Sequence, residues 1–283
     1  MDAFIRKTAG DQPAALLHAE QCMEALTAYL LHFSDLFGDR EMQEESEYAE
    51  WEEHLEAQMN DLLQGDVEMV GDLGALPLQA LDPEHLRDFL GWYLLRETGD
   101  AELIQVHADT LQAWVEYTYA CDWWRQSEYL GFKDMLSDVT PAAVRVARLS
   151  QVLFHYVRSG VGVPPRLRGQ RFSRFVEGHG RVAEIADGGL YLNFENQMEQ
   201  IGSEKTGSEK TGSEKGSSDK SSSEKIGPVL LPQPVLNLTE LGDVFDIELG
   251  LRGDRWVMVD IGPVYPRCVY MDVEEYTGLE KIS

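Results

Sequence analysis

The sequence predicts an α+β protein: an N-terminal antiparallel helical bundle followed by a small antiparallel β barrel or sandwich, interrupted by a disordered loop. Three observations predict it. Residues 1–160 place apolar side chains at three- and four-residue spacing behind cap-and-proline starts. After Gly160 the chain changes to short alternating runs between glycine-rich turns. A low-complexity tract then interrupts that second half.

The helical half opens with Asp11-Gln12-Pro13, a cap and an early proline. Leu16, Met23, Leu26, Leu30, Phe33 and Phe37 then form one apolar face up to Gly38. Tyr48, Trp51, Leu55, Met59 and Leu62 predict a second helix from about Glu41 to Leu63, whose other face carries Glu44, Glu45, Glu47, Glu50, Glu52, Glu53 and Glu56. Asp82-Pro83-Glu84 is another cap-and-proline start, followed by Leu86, Phe89, Leu90, Tyr93 and Leu94. Leu103, Ile104, Val106, Leu111, Trp114 and Val115 continue the pattern over residues 100–121. Thr140-Pro141 is expected to open the last helix, through Val144, Val146, Leu149, Val152, Leu153, Tyr156 and Val157 to Gly160. Short links between such helices imply antiparallel neighbours.

Pro164-Pro165 begins an Arg/Pro-rich junction over residues 161–170. Phe172 to Glu177, Arg181 to Ile185 and Leu190 to Phe194 read as strands separated by Gly178-His179-Gly180 and Asp187-Gly188-Gly189. Further on, Phe245, Ile247 and Leu249 alternate with Asp246 and Glu248, the pattern of a half-buried strand. A turn within Gly250 to Asp254 leads it into Arg255-Trp256-Val257-Met258-Val259, a hairpin.

Between these runs, lysine recurs at 205, 210, 215, 220 and 225, each preceded by Glu or Asp, with Gly, Ser and Thr filling the rest. A tract so poor in apolar surface is expected to stay unfolded. As a flexible coil its 25 residues have an end-to-end distance of about 27 Å. Ile226-Gly227-Pro228-Val229 is echoed by Ile261-Gly262-Pro263-Val264, so the tract is expected to interrupt a β domain. The predicted organisation is a helical domain over 1–160, the junction over 161–170, and a β domain over 171–283 with its insertion at 202–225.

Across its 283 residues the chain carries 50 acidic and 24 basic groups, a net charge of −26, which opposes binding of nucleic acid or anionic membrane over the whole surface. The charge is uneven. Residues 1–139 carry −23, whereas residues 140–200 carry +3, so a charge boundary falls near Thr140. No apolar run reaches the roughly 20 residues of a membrane helix. Met1 to Lys7 lacks the pattern of a secretory signal. Cys22, Cys121 and Cys268 have no metal-ligand spacing, and a reducing cytoplasm is the expected compartment.

Catalytic motifs are missing from the sequence. The seven histidines form no His-Glu-x-x-His run, and there is no Walker loop, dinucleotide fingerprint or nucleophile elbow. His18 and Cys22 lie one helical turn apart, where packing on an apolar face is the expected role. No cofactor or metal is expected. The acidic helix reads as a solvated face or an electrostatic partner surface.

Two groups remain as candidate contact surfaces. Tyr117, Tyr119, Trp123, Trp124 and Tyr129 form an aromatic cluster near Cys121. It serves either a core or a partner site, and adjacent Trp123 and Trp124 cannot share one helix face. Arg145, Arg148, Arg158, Arg166, Arg168, Arg171, Arg174 and Arg181 are opposed between 141 and 181 by Glu177 alone. Phe172 and Phe175 are interleaved with Arg171 and Arg174. Arginine forks onto phosphate or carboxylate and stacks on rings. Three readings stay open for this stretch: pairing within the chain or with a protein partner, single-stranded nucleic acid, and a solvated linker.

The helices at His85-Leu86-Arg87-Asp88-Phe89-Leu90-Gly91-Trp92-Tyr93-Leu94 and Leu111-Gln112-Ala113-Trp114-Val115-Glu116-Tyr117 resemble the paired helices of the core-binding domain of tyrosine recombinases. That resemblance implies helical packing over DNA. The acidic surface departs from that use, and the Arg-His-Arg-Tyr catalytic half does not follow. The layout of helices and then a small barrel also resembles uncharacterised bacterial proteins, which imply no activity.

The reading is of a cytoplasmic, non-catalytic protein-interaction or adaptor module. Arg166, Arg168, Arg171, Arg174, Trp123 and Trp124 are its expected contact residues, and its partner is a protein or the chain's own second domain. The alternative is single-stranded nucleic-acid binding through the junction and the β domain. An enzyme whose site forms only in three dimensions stands third.

Overall fold

A computed structural model describes residues 4–5, 13–32, 81–186, 188–194 and 224–269. The acidic helix expected over 41–63, the stop at Gly38 and the lysine-spaced tract up to residue 223 lie outside them. The fold is mixed helix and sheet. Its helices are α1 (Pro13–His32), α2 (Pro83–Asp88), α3 (Leu94–Glu97), α4 (Ala101–Ala120), α5 (Gln126–Ser159) and the short α6 (Gln233–Leu236). The strands are β1 (Arg174–Ala186), β2 (Gly189–Phe194), β3 (Glu224–Leu230), β4 (Val244–Arg252) and β5 (Arg255–Tyr265). None of the described helices is long and apolar enough to cross a membrane.

The chain divides into two compact units. Met1–Tyr93 with Gln105–Thr140 form one, and Leu94–Ile104 with Pro141–Ser283 form the other. The division at Thr140/Pro141 coincides with the charge boundary in the sequence and precedes the 161–170 junction.

In the first unit the start of α2 follows its sequence signal closely. Asp82 caps it, Pro83 occupies the first turn where a missing N–H costs nothing, and His85 completes a reciprocal capping box. The His85 N–H donates to Asp82 Oδ1 at 3.0 Å, and the Asp82 N–H points at His85 Nδ1 at 3.2 Å. Nδ1 also lies 2.8 Å from Oδ1, so a protonated ring donates to the carboxylate instead. A π-helical turn over Phe89–Tyr93 follows, with Tyr29 of α1 packed against Phe89 and Tyr93. Residues 85–94 and 111–117 are both helical. Asp122, in the left-handed region at φ 57°, reverses the chain after α4; aspartate tolerates that conformation better than most residues.

Helix α5 departs from expectation. Thr140-Pro141 does not open a helix; Pro141 lies inside one of 34 residues. An interior proline removes a backbone donor and costs about 3 kcal/mol. Here Phe132, Leu136, Val139, Ala143, Val146, Leu149 and Leu153, all buried at helical spacing on either side of it, hold the helix together.

In the second unit the strands pair in the order β1-β2-β3-β5-β4, with β1 returning to β4, so the ring of hydrogen-bonded neighbours closes. All pairings are antiparallel except β3 with β5, which meet in parallel at Val229 and Trp256. Phe245, Ile247 and Leu249 are buried while Asp246 and Glu248 are half-buried, the alternation the sequence predicts. The echoed Ile-Gly-Pro-Val segments lie in β3 and β5. Phe194 faces Glu224 across β2 and β3, so the chain leaves and re-enters the sheet at one register position on either side of residues 195–223. Lys225, the last lysine of the repeat, is itself in β3, where it pairs with Glu184 and lies over Tyr191.

A second departure concerns Gly178-His179-Gly180, which forms no turn. It continues β1, whose first half pairs with β4 and second half with β2. A Cβ at Gly180 would stand 2.8 Å from the Phe194 ring, so this glycine serves close packing.

The second half of α5 is tied to the sheet by three side chains. Arg145 donates from Nη1 and Nη2 to the two carboxylate oxygens of Asp243 at 2.7 and 2.8 Å, and from Nη1 to the Leu238 carbonyl at 2.7 Å. Glu240 stands 3.1 Å from the same guanidinium. Asp243 is fully buried, and its second duty is to accept the Glu240 N–H at 2.8 Å. Burial opposes the Arg145 charge, but the hydrogen bonds and charge of Asp243, then the charge of Glu240, outweigh it and raise the pKa. Ser150 Oγ accepts the Val264 N–H at 3.0 Å, and the Tyr156 hydroxyl donates to the Leu230 carbonyl at 3.3 Å. These two bonds satisfy backbone groups of β5 and of β3, the strands joined at the parallel seam.

Two outcomes are expected. Arg145→Met strands the Asp243 carboxylate in the interior and is expected to cost about 3–5 kcal/mol in denaturant unfolding; a loss under about 1 kcal/mol would contradict the pairing. His85 is expected to titrate above its ordinary 6.5, because the hydrogen bond to Asp82, opposed by burial and reinforced by the Asp82 charge, favours the imidazolium. Its contribution to stability is complete below 6.5 and lost as pH rises through the folded-state pKa. Asp82, held below its ordinary 3.8 by hydrogen bonds from His85 that outweigh burial, contributes above 3.8 and loses that contribution as pH falls through its own lowered value. NMR titration of the His85 ring measures the shift directly. Asp82→Ala should return it toward 6.5 and cost about 1 kcal/mol of helix capping.

Candidate binding surface

After Gly160 the chain turns through Pro164 into a 3-10 turn, Pro165–Leu167. Leu167 is buried, anchoring a loop whose arginines point elsewhere. The loop closes through the Leu167 N–H to the Pro164 carbonyl at 2.8 Å and the Gln170 N–H to the Leu167 carbonyl at 3.0 Å. The Ser173 N–H then donates to the Leu251 carbonyl at 2.9 Å, extending the β1–β4 ladder. Phe172 lies across Gly250, where a Cβ would stand 2.5 Å from the ring; only glycine admits that approach.

This anchoring sets the loop against the β4–β5 hairpin, whose two-residue turn is Gly253-Asp254. Register does the rest. Arg174 faces Leu251, Leu251 faces Trp256, and Arg252 faces Arg255. The result is one end of the sheet bearing Arg166, Arg168, Arg171, Arg174, Arg252 and Arg255 among Phe172, Phe175 and Trp256.

The cations and rings interlock. The Arg252 guanidinium sits 3.9 Å from the Phe172 centroid, and its Nη1 reaches the Arg168 carbonyl at 3.5 Å. Arg174 lies 5.8 Å from the Trp256 centroid. Phe172 and Phe175 meet at 4.9 Å, and Phe175 remains 53% exposed. Arg168 Nε donates to the Val163 carbonyl at 3.3 Å. Stacked arginine keeps its outer N–H groups available for an anion.

Arg166, Arg168 and Arg171 are exposed, and Arg174 is half-buried. Among the described residues no carboxylate lies in ion-pair range of Arg166, Arg168 or Arg171. Arg252 and Arg255 stand opposite one another, a like-charge pair that costs energy unless an anion offsets it. Asp254, exposed at the hairpin tip between them, is the nearest acidic group in sequence. Elsewhere in the arginine run, Arg145 is paired internally as described, and Arg158 lies over Phe154 at 5.0 Å. The carboxylates on Arg145 come from 240–243, not from the acidic first 139 residues.

The two tryptophans expected as contacts separate. Trp124 is a core residue, stacked on Phe132 at 4.3 Å and edge-on to Trp114 at 5.4 Å, and is no contact surface. The aromatic neighbours of α4 and α5 claim it because the reversal at Asp122 turns it inward. Trp123 is 49% exposed, edge-on to Tyr117. Arg252, Arg255 and Trp256 join the site without having been singled out from sequence. They flank the recognised hairpin turn, but only the strand register brings them to the loop.

Cys22, Cys121 and Cys268 are free thiols, and burial pushes Cys22 up to about 12. Among the described residues no group of three His, Cys, Asp or Glu side chains is placed to hold a metal. Comparison with known proteins finds no matching family model, no similar curated protein and no similar solved structure.

Phe172 is the clamp between the arginine loop and the hairpin. Phe172→Ala is expected to cost about 1–3 kcal/mol and to speed tryptic cleavage after Arg166, Arg168 and Arg171 in the folded protein. Cleavage at an unchanged rate would show that the loop is held otherwise.

Proposed function

We propose that the protein is a non-catalytic interaction module, an adaptor that receives an acidic partner on the arginine face of its sheet. The observation that carries this reading is the exposure of Arg166, Arg168 and Arg171 with no carboxylate in range among the described residues, in a chain with 50 acidic groups against 24 basic ones. Such an excess supplies internal partners in abundance, and Arg145 has taken two of them. Three neighbouring arginines left open, on a loop fixed by a buried leucine and a clamped phenylalanine, form a preorganised anion receptor. In this reading the upstream helices pack as an antiparallel bundle and act as scaffold, and the closed sheet is a small barrel. The compartment is the cytoplasm, which the three free cysteines suit.

Heparin affinity tests the receptor. At about 0.1 M salt the screening length is about 10 Å, so remote carboxylates are largely screened and a local cationic face still acts. The protein is expected to be retained despite its charge of −26, and Arg168→Glu with Arg171→Glu to abolish retention without lowering the melting temperature. Flow-through of the unaltered protein would refute the reading.

A further inference from the structure

Resting on that reading, we infer that the acidic partner is a single-stranded nucleic acid, held with its phosphates on the arginine loop and a base on Phe175. Two observations favour this ligand over an acidic peptide. The donors at this end of the sheet are arginines, whose planar fork matches phosphate and carboxylate oxygens alike, so the choice of ligand rests on the rings and the sheet. The rings are equally placed. Phe175 is half-exposed and packs against Phe172, which lies under Arg252, and Trp256 is partly exposed beneath Arg174. Every nucleobase has a π-face to offer such a platform, whereas the carboxylates of an acidic peptide have none. A duplex hides those faces in its own stack, which selects the single strand.

The sheet supplies the second observation. A peptide usually gains affinity by adding a strand to an open edge. Here the strand ring closes, and groups flanking its parallel seam are already bonded to Ser150 and Tyr156 of α5. An acidic peptide would be held by side chains alone. A nucleic acid needs nothing else, since phosphate contacts and base stacking are both side-chain interactions.

The test titrates the full chain with three fluorescein-labelled probes: an oligouridylate of about ten nucleotides, a duplex of the same length, and polyglutamate of matching charge. The oligouridylate is expected to bind more tightly than the other two. Its affinity should fall with salt on a log–log slope of about −2, from roughly 0.7 for each of three phosphate contacts. Phe175→Ala is expected to weaken the oligouridylate roughly five- to 150-fold, from about 1–3 kcal/mol of stacking, and to weaken polyglutamate by less. Phe175→Leu, which keeps the apolar bulk and removes the aromatic face, should weaken the oligouridylate likewise and guards against misfolding of the alanine variant. Polyglutamate or duplex binding as tightly as the oligouridylate, or no effect of either Phe175 variant, would overturn the inference and leave the interaction module standing. Failure to bind any of the three probes or heparin would overturn both.

Discussion

The forked contact between Arg145 and Asp243 joins elements that nothing else in the local sequence brings together. Asp243 sits where the chain enters β4, and its backbone carbonyl accepts the Val182 N–H, so the same residue extends the β1–β4 ladder and anchors the helix. A carboxylate buried without a cation would carry a desolvation cost of several kcal/mol; the guanidinium, the Glu240 N–H and good geometry offset it. Such a pair is weak evidence of net stability, since a well-packed apolar pair often does as well. Its value is registry, because only one placement of α5 satisfies both carboxylate oxygens and the Leu238 carbonyl together.

That registry decides the fate of the other arginines. With α5 fixed by Arg145, Ser150 and Tyr156, the chain leaves the helix at Gly160 and reaches β1 only by way of the 165–173 loop. Leu167 and Phe172 hold the loop from beneath, so Arg166, Arg168 and Arg171 are turned outward on a rigid support. A run of eight arginines that looks uniform in sequence is therefore divided by environment. Arg145 is paired with the buried Asp243, Arg174 lies over Trp256, and the loop arginines Arg166, Arg168 and Arg171 are exposed.

Much of this was legible in the residues. Asp82-Pro83 marked a helix start because both residues favour that position for local reasons, and the alternation through Phe245, Ile247 and Leu249 announced a one-sided strand. The misreadings share a cause. Pro141 and Gly178-His179-Gly180 are local breaking signals overridden by tertiary packing: buried side chains on both sides of the proline, and a phenylalanine ring that needs the space at Gly180. The arginine loop was visible as composition, but its partners Arg252, Arg255 and Trp256 depend on a register across three strands that no local pattern records. Trp123 and Trp124 could be separated in principle, and which one turned inward was decided by the left-handed turn at Asp122.

Arginine side-chain NMR tests the division most directly, by following each Nε–Hε resonance while a heparin oligosaccharide is added. The account predicts that Arg166, Arg168 and Arg171 shift together while Arg145 stays fixed and exchanges slowly with solvent. Movement of Arg145 alongside them, or stillness of the three loop arginines at saturating polyanion, would contradict it.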